Sequence, residues 1–242
     1  MRILTYIFFL ALAVTSLTGC CKSNSSHEHE EDCTPDPTYN PSINPADFVA
    51  AVNNPLLPLV SGTRYVYQGG EETIEVTVTN DSKEILGVTT IVVHDVVSVD
   101  DEIIEDTYDW YAQDKAGNVW YFGEDTKEYE GGKVVSTEGS WEAGVNGAKP
   151  GIVMHATQPP IGIPYRQEYY ACEAEDMAEV VSLSESVIVP YGSFDNCLQT
   201  REFTPLEPDV NEYKYYAPGV GLMLEVDIKS GARTELIEIT TP

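Results

Sequence analysis

The sequence predicts an all-β fold of about a dozen antiparallel strands, folded as a curved sheet, a barrel or a sandwich. Apolar and polar residues alternate with a period of two at 72–79, and residues 88–97 are β-branched almost throughout. Turn-forming pairs such as Gly69-Gly70 and Asn80-Asp81 interrupt these runs. Many short strands separated by turns are typical of antiparallel architectures.

One short N-terminal helix is expected before the strands begin, at residues 44–52. Asn44 can cap it, Pro45 fits its first turn, and Asp47 suits the positive end of its dipole. The Asn-Asn-Pro sequence at 53–55 would end it.

The clearest local prediction is a β-hairpin at residues 108–122. Asp114 to Gly117 is expected to form a type I turn, in which Gly117 takes the left-handed conformation that a Cβ would penalise. Even-numbered residues of the first strand would then share one face of the sheet.

Residues 139–164 are dense in Gly and Pro and show no period, which predicts a long loop or lid. A short extended segment is expected at 152–154. Strands resume at 165–172 and continue in further runs up to residue 239.

The first nineteen residues have the composition of a secretory signal peptide. Arg2 gives a positive start, and residues 3–16 form an apolar run that is too short for a comfortable membrane span. We therefore divide the chain into a signal peptide at 1–19, a disordered acidic tether at 20–40 and a single β-rich soluble domain at 41–242.

The signal ends in Leu17-Thr18-Gly19-Cys20, which resembles the lipobox of bacterial lipoproteins. The resemblance implies that Cys20 carries a diacylglycerol and further acyl chains such as palmitate, so that a membrane of the cell envelope holds the protein. Cys21, at the second mature position, is not aspartate, which implies the outer membrane if the host is Gram-negative. The alternative is ordinary secretory cleavage near Gly19, with Cys20 free.

Residues 20–40 contain few apolar side chains, a composition typical of a flexible tether. His27, His29 and Cys33 could bind zinc or copper there, because imidazole and thiolate are suitable ligands. The alternative is a solvated acidic spacer with incidental metal affinity, since the spacing does not match a tetrahedral structural site.

The chain of 242 residues carries 40 acidic residues against 13 Lys and Arg, a formal net charge of −27. Nucleic acid binding requires basic surface, so no nucleic-acid partner is expected. Residues 41–242 contain no second apolar run of membrane-spanning length. The expected contact with a membrane is therefore the N-terminal lipid anchor.

Cys172 and Cys197 form the one cysteine pair inside the predicted domain, and both lie on predicted strands. An exported protein can form disulfides, so a bridge between them is the favoured prediction and two buried free thiols are the alternative. Neither belongs to a C-x-x-C motif, which argues against a redox role.

No nucleophile elbow, P-loop, dinucleotide fingerprint or zinc-protease motif occurs in the sequence. Calcium is the better chemical hypothesis, because four side chains with hard oxygens lie in or near the predicted hairpin: Asp114, Asn118, Glu124 and Asp125. Turn chemistry alone accounts for Asp114 and Asn118. No cofactor is predicted beyond this calcium hypothesis.

Residues 189–197, VPYGSFDNC, and 214–222, KYYAPGVGL, resemble segments of uncharacterised β-rich bacterial envelope lipoproteins. With the lipobox and the hairpin, the likeness spans most of residues 55–240. It implies a β-rich lipoprotein and no particular activity. Turn chemistry explains both segments without a ligand, and a pocket lined by Tyr215, Tyr216 and the neighbouring glycines is the functional alternative.

Three functions remain open from the sequence. The first is a lipid-anchored, non-enzymatic envelope lipoprotein whose β domain binds a protein, polymer or ligand of unknown identity. The second is a carrier that holds a lipid-like or other apolar ligand in a curved-sheet cavity. The third is a hydrolase that depends on a divalent metal, which would need carboxylates gathered around one pocket.

Overall fold

The computed structural model describes residues 35–242, and the all-β prediction is confirmed there. The predicted signal peptide, the lipidation site Cys20, Cys21 and the metal candidates His27, His29 and Cys33 lie outside the described residues. Within the described part, no helix has the length and apolar character needed to cross a bilayer. The strands are β1 (Phe48–Val49), β2 (Val52–Asn54), β3 (Leu57–Leu59), β4 (Arg64–Gly69), β5 (Glu72–Ile85), β6 (Val88–Val99), β7 (Glu102–Asp114), β8 (Val119–Glu130), β9 (Lys133–Ser136), β10 (Trp141–Glu142), β11 (Lys149–Met154), β12 (Tyr165–Arg166), β13 (Glu168–Tyr169), β14 (Met177–Val189), β15 (Gly192–Thr204), β16 (Glu207–Ala217), β17 (Gly221–Asp227) and β18 (Arg233–Thr240).

Thirteen strands form one nearly closed antiparallel sheet in the order β12-β14-β15-β16-β17-β18-β4-β5-β6-β7-β8-β11-β13. The two ends of this order, β12 and β13, are separated in the chain by Gln167 alone. Strand β11 also contacts β12, so the sheet curls back on itself like a barrel. Closure removes the exposed edges that an open sheet of this size would present.

The alternation of side chains along β5 shows how the sheet fills its interior. Ile74, Val76 and Val78 are buried, and the residues between them are partly exposed. The β2–β3 hairpin forms a separate small sheet that packs on β7 and β17 with Val52, Leu57 and Leu59 buried. The apolar core therefore comes from the sheet interior and from this cover.

The predicted hairpin is confirmed as β7 and β8. Gly117 N donates to Asp114 O over 2.9 Å, and Gly117 has the expected positive φ of 96°. The register shifts between Asp109 and Tyr111, however, so the simple alternation of faces predicted for β7 is interrupted. A β-bulge at this point lets consecutive side chains face buried surroundings.

The predicted helix at 44–52 is wrong beyond its first turn. Asn44 caps a 3-10 helix of three residues, Pro45–Asp47, and accepts from Ala46 N over 3.3 Å. Strand β1 follows at once and pairs with the end of β7. The ring of Phe48 packs edge-on against Phe122 at 5.6 Å between centroids, so tertiary packing outweighs the local helix signal.

The long loop predicted at 139–164 is partly strand. Residues 152–154, expected to be extended, belong to β11, and β10 adds a further short strand. The part without strand or helix after β11 runs from 155 to 164. The density of Gly and Pro thus predicted the irregular stretch at 155–164, but it did not reveal the strands β10 and β11 that precede it.

The packed part of the chain begins before residue 41, where the domain was predicted to start. Tyr39 Oη donates to Pro150 O over 2.8 Å, and its ring lies edge-on to Tyr169 at 5.7 Å. Asp36 forms an ion pair of 3.4 Å with Arg166. The last residues of the predicted tether therefore lie on β11, β12 and β13.

The predicted bridge between Cys172 and Cys197 is wrong. Cys197 is a free, buried thiol on β15, and Cys172 is disulfide-bonded. Cys172 lies in a turn after β13 with a φ of 67°, not on a strand. The predicted strand at 165–172 breaks into β12, β13 and this turn, so Cys172 does not lie on one of the two strands that the prediction assumed.

Gly151 is predicted to be essential for closing the barrel. A Cβ at this position would lie 2.3 Å from Gln167 C and 2.7 Å from Arg166 O, both backbone atoms. Gly151→Ala should lower the free energy of unfolding by about 2–3 kcal/mol, because the β12–β13 connection must move. Urea denaturation measures this loss.

Gly192→Ala is the matched control for that variant. Its Cβ would meet only the ring of Phe194, at 3.2 Å, and a side chain can move. Equal losses in the two variants would show that the close approach at Gly151 does not limit closure.

Candidate functional site

The inner face of the barrel carries an unusual concentration of buried carboxyl groups. We call the following eight residues, each at most 9% exposed, the interior acid cluster: Asp95, Glu105, Asp109, Glu124, Glu168, Glu202, Glu212 and Glu225. Aspartate and glutamate are almost never fully buried unless they are paired. Among residues 35–242, Lys214 is the one buried Lys or Arg, so the cluster has far more acids than cations.

Strand register explains why these side chains meet inside the barrel. Asp109 lies opposite Glu124, Glu202 lies opposite Glu212, and Lys214 lies opposite Glu225. Directly opposed residues on neighbouring strands point to the same face of the sheet. The cluster therefore has one half on β6–β8 and another on β15–β17, and Glu168 adds a further carboxyl group on β13.

The β15–β17 half is built around the ammonium group of Lys214. Its Nζ lies 3.2 Å from Glu202, 3.6 Å from Glu225 and 3.9 Å from Glu212. Burial alone would lower the pKa of Lys214, but these three carboxyl groups raise it above its ordinary value. Lys214 is therefore charged, and Glu202 also accepts from the hydroxyl groups of Thr200 and Tyr216.

The β6–β8 half has hydroxyl partners but no cation of its own. Asp109 accepts from Tyr121 Oη over 2.6 Å, and Glu105 accepts from Thr107 over 3.2 Å. Among the described residues, Oδ1 of Asp95, Oε2 of Glu105 and Oδ2 of Asp109 have no hydrogen-bond partner. Unpaired buried carboxyl oxygens are costly.

Burial and mutual repulsion keep many of these acids protonated at neutral pH. Burial raises the pKa of Glu105 to about 8 and that of Asp109 to about 7. Burial, followed by the repulsion of Asp109, raises the pKa of Asp95 and of Glu124 well above the ordinary range. In the other half, burial raises the pKa of Glu212 to about 7. Protons thus replace the missing cations.

The four calcium candidates are not brought together. Asp114 accepts from Asn118 N at 2.9 Å and from Trp120 Nε1 at 2.9 Å, so its carboxylate stabilises the turn. Glu124 points into the barrel five register positions away, about 16 Å along the hairpin, and Asp125 pairs with Lys127 outside. Among the described residues, no group of three or more His, Cys, Asp or Glu could hold a metal ion.

The two histidines of the domain lie apart from the cluster. His94 bonds Asp106 over 2.8 Å and stacks on Tyr108 at 4.3 Å. His155 lies edge-on to Tyr165 at 4.6 Å, and burial lowers the pKa of its imidazole. His94 therefore lies in the sheet on β6, and His155 lies just after the end of β11.

The two segments that resemble envelope lipoproteins form the turns of two hairpins. VPYGSFDNC makes the β14–β15 connection, where Tyr191 stacks on Phe194 at 6.3 Å. KYYAPGVGL makes the β16–β17 connection and contributes Lys214. Tyr216 reaches the cluster through its bond to Glu202, and Tyr215 lies partly exposed on the other face. The sequence predicted the turns of these two segments but did not reveal that Lys214 is buried.

No protein-family model and no curated protein matches the chain. Among solved structures, the chain is similar to the crystal structure, at 2.70 Å resolution, of a "putative lipoprotein" from Parabacteroides distasonis ATCC 8503. The two share 12% identity with a TM-score of 0.34, over 76% of this chain and 98% of that chain. A likeness of this degree fixes no function for the present chain.

Lys214→Met should destabilise the protein by about 3–5 kcal/mol at pH 7, because three buried carboxyl groups lose their counter-charge. The loss should shrink at pH 5, because burial raises the pKa values of Glu212 and Glu225 and their protonated forms need no cation. Urea denaturation at both pH values measures it. Lys229→Met, at an exposed ion pair with Asp209, is the control and should change stability by less than about 0.5 kcal/mol. A loss that does not depend on pH would contradict this account.

The stability of the whole domain should fall as the pH rises from 5 to 9. The folded-state pKa values of about 8 for Glu105 and about 7 for Asp109 exceed the ordinary carboxyl pKa near 4. Each of these two carboxyl groups therefore makes its full contribution to stability below pH about 4. That contribution is lost as the pH rises through the folded-state pKa, by up to about 1.4 kcal/mol per pH unit for each group. Urea denaturation at pH 5, 7 and 9 tests this, and equal or rising stability at pH 9 would refute it.

Proposed function

We propose that this protein is a lipid-anchored, non-enzymatic lipoprotein of the cell envelope whose β domain binds a small ligand carrying an ammonium group. In a Gram-negative host its place would be the outer membrane. The anchor is supported by the sequence Leu17-Thr18-Gly19-Cys20 at the end of an apolar signal segment.

The ligand proposal rests on a difference between the two halves of the interior acid cluster: among residues 35–242, one half contains a buried cation and the other does not. In the β15–β17 half, one ammonium group lies within 4 Å of three carboxyl groups. The β6–β8 half has a comparable set of acids, and oxygens of Asp95, Glu105 and Asp109 lack partners there. An ammonium group has three donors and one charge, which suits such a set.

The chemistry of the interior disfavours an apolar ligand. A hydrocarbon chain cannot donate hydrogen bonds. Its contact would leave carboxyl oxygens without hydrogen-bond partners at Asp95, Glu105 and Asp109. The hydroxyl groups of Thr107 and Thr126, 2.6 Å apart, add to this polar wall. We therefore favour a cationic ligand over the lipid-like one that the sequence left open.

A native mass spectrum of the mature protein, purified from its own envelope without denaturant, tests the proposal. We expect a nitrogen-containing organic adduct that is lost on denaturation. Asp95→Asn with Asp109→Asn should reduce its occupancy by at least about tenfold, because each lost charge–charge hydrogen bond is worth about 1.5–3 kcal/mol. Asp125→Asn, on the outer face of β8, is the control and should keep the adduct.

Calorimetry with n-butylammonium chloride, a mimic of the lysine side chain, gives an independent result. Because the acids have raised pKa values, binding a cation at pH 7 should release protons, and the observed heat should change with the ionisation enthalpy of the buffer. n-Butanol has the same chain without the charge and should not bind. A wild-type protein that is bare in the mass spectrum and does not bind butylammonium would refute the ligand proposal.

A further inference from the structure

We propose that residues 156–164, which we call the apolar loop, form the face of the domain that contacts the lipid bilayer. The inference rests on the lipid anchor of the proposed function. The segment from 156 to 165, ATQPPIGIPY, contains no charged residue in a chain whose net charge is −27. Ile161 is 61% exposed and Ile163 is 54% exposed, and prolines flank both.

The loop is held in place by one aromatic contact and two hydrogen bonds. The rings of His155 and Tyr165 meet at 4.6 Å, which joins its two ends. Ala156 N donates to Asn118 over 2.9 Å, and Gly162 N donates to Val180 O over 2.9 Å. The isoleucines are thus presented to the outside by a fixed backbone, so that binding costs little further ordering.

The loop also lies beside the point where the N-terminal chain joins the domain. Asp36 pairs with Arg166 at 3.4 Å, and Arg166 is two residues after the loop ends. Sixteen positions separate Cys20 from Asp36 (36 − 20 = 16), and they span at most about 55 Å. An acyl chain on Cys20 would therefore hold Asp36, and with it the base of the loop, within about 55 Å of the membrane.

The contact is expected to be weak by itself and effective only together with the anchor. Two isoleucine side chains bury only a small apolar area in lipid, and the anchor raises the local lipid concentration that they meet. The negative charge of the protein repels anionic lipid, so the favoured surface is zwitterionic.

Photolabelling in vesicles tests the inference. The mature acylated protein is placed in phosphatidylcholine vesicles that contain a phosphatidylcholine with a diazirine in its acyl chain. After illumination, peptides are mapped by mass spectrometry. Peptides that cover the apolar loop should be labelled about tenfold more than those that cover β9, where Val134 and Val135 are similarly exposed.

Ile161→Ser with Ile163→Ser should abolish this excess, and Val134→Ser with Val135→Ser should leave it unchanged. Strand β9 pairs with the Glu128–Glu130 end of β8, and the loop lies near its Val119 end, so the control is far away. Equal labelling of both segments would overturn the inference. The inference would also be overturned if the loop were unlabelled in vesicles and formed crosslinks to other proteins in cells. The same peptide map reports the acyl mass on Cys20, so a missing anchor, which would refute the proposed function, is read separately.

Discussion

Charge neutrality inside the barrel is the constraint on which this structure depends. Eight carboxyl groups and the ammonium group of Lys214 lie on the inner face, and each unpaired buried charge costs several kcal/mol. A fully ionised interior would exceed the whole stability of a typical domain, about 5–15 kcal/mol. These groups are buried, so water does not solvate them. Folding of the barrel is therefore inseparable from the protonation of its acids and from the charge of Lys214.

The fold class could be predicted from the sequence, but the interior acid cluster could not. In Glu212-Tyr-Lys-Tyr-Tyr216 the period of two is plain, and ordinary phasing would place the charges outside. The structure buries Glu212 and Lys214 and leaves Tyr213 partly exposed. The period follows from the backbone of a strand, whereas the inward face is set by the curvature of the whole sheet. Which face points inward therefore depends on residues far apart in the sequence. Because acidic residues are abundant throughout the chain, the buried ones could not be distinguished by their sequence.

Predictions from the sequence were correct where the conformation of a residue depends only on its neighbours in the chain. The β7–β8 turn follows from Asp114 and Gly117, whose backbone contacts lie within four residues. The same chemistry placed the cap at Asn44, but the helix stops because Phe48 gains more from aromatic contacts with the sheet. The disulfide prediction failed because residues 165–172 form β12, β13 and a turn, so that Cys172 does not lie on the predicted strand.

Under the proposed function, protons and a ligand ammonium group compete for the same carboxyl groups. Raising the pH removes protons from Glu105 and Asp109, which weakens the empty barrel and strengthens the attraction for a cation. A bound cation stabilises only the folded state, so it offsets that loss by mass action. Lys214 supplies a fixed positive charge in the β15–β17 half, where burial also raises the pKa of Glu212 to about 7. The β15–β17 half thus has a cation of its own, whereas the β6–β8 half exchanges protons for the ligand.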